Sequence, residues 1–371
     1  MMLDHDHDDE FCPTCWRWDP LARLRKDGDP ALDVLTSGTV FFDLIFTGLQ
    51  RLPQPGEELW STGMGSCPGG IANLATASAR LGMRTGLVTG FGDDTYGEWM
   101  RTTLEQQEHI DLSASKVFDN FHSSLTVSLA MDDDRGMVTH GHELPEELVP
   151  DPAVLPQTKA AVVDLTGDRS WVPEMHRRGA LVFADVGFDA TGAWDPHVLA
   201  PLEQCAAFSP NAIEAMAYTR TSTPKEALYR LADLVPLAIV TDGSKGAWAI
   251  DQETREAVFA PSLEVEAIDA TGAGDVFAAA MILGTLAEWP LEHRLRFAAL
   301  SSSLAVLEFG GSLAAPGWGD LSDWWRDVRV REDSKGRALR ETYGFMDDLI
   351  PRHRVQGVRR AQGTFAMSSD A

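Results

Sequence analysis

Short apolar runs alternate with stretches of helical periodicity along this chain, and that alternation limits the fold more than any other feature. Residues 40–46, 85–89, 160–164, 180–185, 206–209 and 237–241 read as strands. Residues 71–81, 95–107, 171–178, 196–204, 213–218 and 225–234 read as helices, the first rich in Ala and stopped by Gly82. Strands that are apolar on both faces, with helices between them, predict a mostly parallel sheet covered on both sides, a doubly wound α/β domain. Two segments, 51–66 and 121–140, break the pattern. In Ser124-Leu125-Thr126-Val127-Ser128-Leu129-Ala130 polar and apolar residues alternate, which predicts a small sheet with one wet face projecting from the main body.

The expected organisation is a polar extension over residues 1–33, a main domain over 34–316 and a C-terminal extension over 317–371. Pro13, Pro20 and Pro30 argue against regular structure in the first. The last holds Trp318, Trp324 and Trp325 and a locally basic end with Arg352, His353, Arg354, Arg359 and Arg360, and reads as a solvated or subunit-docking tail.

The 371 residues carry a formal charge of −25, which argues against nucleic acid as a partner, since phosphate backbones are held by Lys and Arg. No apolar run approaches the ~20 residues that cross a bilayer, so no membrane partner is expected. The acidic start has no apolar stretch after it, and the expected compartment is the cytoplasm. Four cysteines are too few for a disulfide scaffold. Cys12 and Cys15 with His5 and His7 have the residue types of a zinc site, but a single Cys-x-x-Cys in an Asp-rich stretch favours a solvated tail, and no structural metal is expected. Cys67 and Cys205, among small and apolar residues, read as packed thiols.

The chemistry is concentrated in Asp269-Ala270-Thr271-Gly272-Ala273-Gly274-Asp275, which runs directly into Val276-Phe277-Ala278-Ala279-Ala280-Met281-Ile282-Leu283. Small residues let the amides of a turn converge, and the first turn of a helix adds its own unpaired donors, so Gly272, Ala273 and Gly274 form a candidate anion hole. An acid at the mouth of such a hole would repel the ligand, so Asp275 needs a function there. Taking the proton from a hydroxyl that attacks a phosphoryl group supplies one. The bland alternative is a glycine-rich loop capping a buried helix, with Asp275 as its N-cap.

This segment resembles the signature of the ribokinase-like (PfkB) family of carbohydrate and nucleoside kinases, Asp-Thr-x-Gly-Ala-Gly-Asp, with Ala270 where the family usually has Thr. Pro68-Gly69-Gly70-Ile71-Ala72-Asn73 resembles the family's N-terminal signature, with Ile71 in place of a small residue. The resemblance implies a ribokinase-like doubly wound sheet flanked by helices, with a small β-sheet lid made from segments 51–66 and 121–140 that covers the sugar and can serve as a homodimer contact. It also implies that Asp43, Gly69, Gly70 and Asn73 hold the acceptor. Asp43, read as ending the first strand, offers a carboxylate to two hydroxyls. The direction of Arg135, Thr139 and His140 on the lid side stays open.

Asn211 and Glu214 resemble the family's Asn-x-x-Glu motif, whose Glu helps to position Mg²⁺; the plainer reading is an Asn cap with an acidic first turn. Thr241, Gly243 and Gly246 lie in a turn that resembles the nucleotide-binding turn, where Lys245 reaches phosphate or solvent. The loop from Gly90 to Gly97 matches a further family pattern and reads as fold support. The motifs follow one another in the family's order across residues 34–316. The implied ligands are ATP, Mg²⁺, a sugar or sugar derivative and, at Asp269 and Thr271, a monovalent cation such as K⁺. No P-loop lysine motif is present. A nucleoside kinase, or a noncatalytic sugar- or nucleotide-binding regulator of the same fold, remains the alternative.

Overall fold

The computed structural model describes residues 17–361 except 132–134, 147, 150, 188, 190 and 253. His5, His7, Cys12 and Cys15 lie outside the described residues. In chain order the strands are β1 (Leu32–Ser37), β2 (Val40–Leu49), β3 (Gly63–Gly70), β4 (Thr85–Val88), β5 (Gly90–Gly92), β6 (Lys116–Phe118) and β7 (Leu125–Met131). They continue with β8 (Arg135–His140), β9 (Thr158–Asp164), β10 (Leu181–Asp185), β11 (Ala207–Phe208), β12 (Leu237–Thr241), β13 (Ala247–Asp251) and β14 (Ala257–Ala260). The α-helices are α1 (Ile71–Arg80), α2 (Thr95–Thr102), α3 (Val172–Arg177), α4 (Ala212–Thr219), α5 (Pro224–Leu231), α6 (Ala273–Leu286), α7 (Leu291–Ala305), α8 (Trp318–Val330), α9 (Ser334–Tyr343) and α10 (Met346–Leu349).

Among the described residues, eight strands form the main sheet in the order β14-β13-β12-β11-β10-β9-β1-β4. From β12 to β4 every pairing is parallel, and β13 and β14 add an antiparallel edge. Successive side chains of a strand point to opposite faces. Ala160 and Val162 of β9 therefore pack with α1, α6 and α7, while Ala161 and Val163 pack with α3, α4 and α5. Both faces are covered, as the apolar runs require.

Several expectations need correction. The first strand of the main sheet is β1, at the end of the stretch expected to be irregular. Its polar Asp33, Thr36 and Ser37 hide the pattern, yet Asp33 is fully buried against the Arg25 guanidinium and accepts a hydrogen bond from the Arg84 amide (2.8 Å). Residues 40–46 belong instead to β2, in a separate four-stranded sheet ordered β3-β2-β7-β8. This is the expected lid, but residues 51–62 contribute no strand to it. Residues 196–204 form a 3₁₀ helix rather than an α-helix, with Pro201 inside it.

The stretch after Pro316 is not a solvated tail. Trp318 and Trp325 are buried in the core formed with α1, α6 and α7, and Trp318 Nε1 donates to the Leu81 carbonyl (2.9 Å). The segment then returns to the lid, where Ala361 packs on the cluster of Ile45, Cys67 and Leu313. No helix among the described residues is long and apolar enough to cross a membrane.

Candidate active site

The site forms where the carboxyl ends of the parallel strands face the lid. Gly272, with φ 75°, caps α6 in the left-handed region, which an L side chain rarely adopts. Helix α6 begins at Ala273, so Asp275 stands in its first turn instead of capping it. The amides of Gly272 and Gly274 have no hydrogen-bond partner among the described residues, whereas the Ala273 amide turns to the Ala270 carbonyl at 3.3 Å. Two of the three expected anion-hole donors are therefore free.

Burial pushes the Asp275 carboxyl up from its ordinary 3.8 to about 6; hydrogen bonds from the Asn73 side chain and from its own amide act in the opposite sense. Asn73 comes from the first turn of α1, a distant segment of the chain. A Cβ added to Gly272 would lie 3.4 Å from Asn73 Cγ and 3.3 Å from the Gly311 carbonyl oxygen, so the two motifs touch. Asn73 Oδ1 is buried without a hydrogen-bond partner among the described residues.

Asp43 does not end its strand. It is the fourth residue of β2, paired with Cys67 of β3 and Thr126 of β7, because the strand continues between two neighbours to Leu49. A Cβ on Gly69 would fall on the Asp43 carboxylate, and one on Gly70, at φ 62°, would fall on the Thr39 carbonyl. The paired glycines thus let the acid lie against the backbone that leads into α1. Thr139 of β8 is opposite Thr126, with the hydroxyls 3.1 Å apart, in the same row as Asp43. His140 is opposite Leu125, in the adjacent row, and its ring meets those of His122 and His142. Arg135 is opposite Ala130.

On the other side, Asn211 and Glu214 form a reciprocal capping box at the start of α4, with both hydrogen bonds at 3.0 Å. The plainer reading of that motif is therefore realised, and one Glu214 oxygen is committed to the cap. Glu214 is nearly buried, which pushes its carboxyl up, and Asp164 adds repulsion. Asn211 bridges to Thr241 at the end of β12. A narrow cleft is lined by Thr241, Gly243 and Gly246 together with Ala273 and Gly274, so the turn after β12 and the candidate anion hole share one space. Lys245 points elsewhere: it is exposed and paired with Asp242 at 3.0 Å.

Asp269 is buried, accepting from the Thr271 amide at 2.9 Å and the Gly310 amide at 3.4 Å, and so ties the motif loop to the segment before Leu313. The Gly90–Gly97 loop is structural, as expected: Asp94 caps α2 through the Gly97 amide and also holds Ser123.

The sequence reading passed over Asp185 and Asp164 as site residues. They end the adjacent strands β10 and β9 and are register partners. Burial holds the Asp185 carboxyl well above its ordinary range, and Asp275, Glu214 and Asp164 reinforce this by repulsion. The signal was available in the sequence as two apolar strands, each finishing in Asp, at the edge where open α/β sheets bind ligands. Among the described residues no three His, Cys, Asp or Glu side chains are placed to hold a metal ion by themselves. Carboxylates close enough to repel one another, as Asp185, Asp164, Glu214 and Asp275 are, nevertheless suit Mg²⁺, which binds through one or two carboxylates with phosphate and water completing its shell.

A doubly wound sheet with a β lid, and an acid beside free glycine amides, is the arrangement expected of a phosphotransferase with an alcohol acceptor. Residues 34–317 match the model of the pfkB family carbohydrate kinases, and the chain belongs to that family. It is 28% identical over 291 residues to a ribokinase of Bacillus subtilis (strain 168), covering 76% of this chain and 96% of the relative. To a fructokinase of Klebsiella pneumoniae it is 30% identical over 277 residues, covering 69% and 88%. The fold is also similar to that of an Arabidopsis thaliana ribokinase solved with ribose and ATP, with a TM-score of 0.62 at 22% identity, covering 77% of this chain and 96% of the other.

Proposed function

We propose that this protein transfers the γ-phosphoryl group of ATP to a hydroxyl of a sugar or sugar derivative, with Asp275 as the catalytic base. The observation that carries the reading is the placement of Asp275, held by Asn73 from the acceptor side and standing in the same helical turn as the free Gly272 and Gly274 amides. The acceptor lies between Asp43, Gly69, Gly70 and Asn73. Asp275 orients the attacking hydroxyl and accepts its proton at a carboxylate oxygen. A carboxylate is a much weaker base than an alkoxide, so the proton moves late and alignment is the larger contribution. The anion-hole amides oppose charge on the phosphoryl oxygens as it transfers.

The nucleotide side comprises Asn211, Glu214, Thr241, Gly243 and Gly246. Mg²⁺, when bound near Glu214, would neutralise phosphate charge that Asp185, Asp164 and Glu214 otherwise oppose. Carbonyl and side-chain oxygens of Asp269 and Thr271 are the proposed ligands of a monovalent cation. The exposed Met137 and Val138 on the edge strand of the lid support a homodimer contact there.

The test is an ADP-release assay over a panel of sugars, sugar acids and nucleosides, with the product identified by mass spectrometry, on wild type and Asp275→Asn. A phosphorylated sugar from the wild type and loss of turnover in the variant are expected. Undiminished turnover in Asp275→Asn would remove the base; binding of sugar and ATP with no phosphorylated product would remove the activity.

A further inference from the structure

A second cleft, remote in sequence from the phosphotransfer site, opens between α8 and the segment that follows α10. Every residue lining it lies beyond residue 317, where the family match ends. Its volume is about 470 Å³. That is within the range of roughly 300–1,000 Å³ common for small-molecule sites.

The charge of this cleft opposes that of the molecule. Against a net −25, it gathers Arg326, Arg329, Arg352 and Arg354, with His353 beside them. Arg326 pairs with Asp323 at 2.6 Å and Arg329 with Asp347 at 3.4 Å, all four side chains being more than half exposed. Such pairs are worth about 0–1 kcal/mol, so both arginines can be recruited by a stronger anion. Arg352 and Arg354 are exposed and have no ion pair among the described residues. The floor is fixed: Trp325 is 1% exposed and donates from Nε1 to Asp347 at 2.9 Å, and Val355 is buried below the arginines. His353 is backed by Trp18, whose ring lies 5.4 Å from its own.

An apolar floor under a rim of guanidinium groups matches a ligand with an organic body and a compact, multiply charged anionic group. The planar fork of arginine binds phosphoryl oxygens in pairs, whereas a monocarboxylate would offer half the charge. We infer that this cleft binds a phosphorylated small molecule through Arg352 and Arg354, with Arg326 and Arg329 turning in from their surface pairs. The site is independent of the proposed kinase chemistry.

The experiment is isothermal titration calorimetry on the full chain with inorganic phosphate, pyrophosphate and a hexose 6-phosphate, and with citrate as a non-phosphorylated polyanion. Saturable binding of the hexose 6-phosphate is expected. In Arg352→Ala/Arg354→Ala it should weaken by about a hundredfold or more, the loss of two charge-assisted hydrogen bonds. Turnover without the ligand and thermal midpoint should match the wild type, since both side chains are exposed. The apolar floor predicts tighter binding of the hexose phosphate, and tighter binding of phosphate or pyrophosphate would overturn the organic phosphate as the ligand. Either equal affinity for citrate or affinity unchanged in the double variant would overturn the proposal. So would binding that appears only when the chain starts at Arg17, because the chain's own acidic residues 4–10 would then be the occupant.

Discussion

The side chain of Asn73 donates a hydrogen bond to the carboxylate of Asp275, joining the first turn of α1 to the first turn of α6. One contact thereby links the acceptor motif to the proposed base. It also favours the ionised form of an acid that burial pushes toward neutrality.

Asn73→Ala should therefore move the acidic limb of the kcat/KM profile to higher pH. A hydrogen bond to a charged group contributes about 1.5–3 kcal/mol, so a rise of roughly one pH unit or more is expected. A purely structural role would lower activity equally at all pH values. A pH–rate profile between pH 5 and 9 distinguishes the two.

Asp275→Asn should lower turnover by about 10²–10⁴-fold, the usual contribution of a positioned base. It should also stabilise the fold in alkaline solution. Because the folded-state pKa, about 6, lies above the ordinary 3.8, the unfolded chain ionises first as pH rises. Stability then falls between those two values and stays lower above about 6. The variant escapes this cost, which is on the order of 1–3 kcal/mol. Urea unfolding should show the variant more stable than wild type at pH 8 and equal to it near pH 3.5; no difference at pH 8 would show that Asp275 is not held in an unfavourable environment.

Much of this was legible in the sequence because the physics is local. Ala160-Ala161-Val162-Val163 reads as a strand covered on both faces, and Gly272, at positive φ, is the turn residue that leads into α6. Asp33 concealed β1 because its charge is neutralised by Arg25, a partner that no periodicity reveals. Asp43 was placed at a strand end because the pairing of β2 with β7 spans more than eighty residues of chain. The C-terminal tryptophans were misread for the same reason: local charge suggested solvent, whereas Trp318 finds its partner at Leu81. Asn211 and Glu214 show the limit from the other side, since one short pattern serves both a helix cap and the proposed nucleotide site.

Gly69→Ala should damage the proposed acceptor site through Asp43. The new methyl group would occupy the place of the carboxylate, and overpacking of this kind costs about 1–3 kcal/mol. The acceptor KM should rise while the KM for ATP stays near its original value. Combined with Asp43→Ala, which vacates the space, the stability loss should be less than the sum of the two single losses. Additive losses in a double-mutant cycle would mean that the two residues do not meet in solution.

Arg80 tests whether the C-terminal extension supports the site. Its guanidinium is fully buried and binds both oxygens of Glu108 (2.9 and 2.8 Å) and the carbonyls of Leu313, Ala315 and Arg359. Those carbonyls belong to the segments that carry Ala361 beneath the lid. Arg80→Met leaves Glu108 buried and unpaired, so a loss of about 3–5 kcal/mol is expected in urea unfolding. Glu108→Leu in the same chain removes the stranded charge and should restore part of that stability, but not the contacts to the three carbonyls. Limited proteolysis should then cut within residues 351–361 in both variants, and the acceptor KM should rise in both. A double variant with wild-type protease resistance and wild-type KM would show that the extension packs on the domain without supporting the lid.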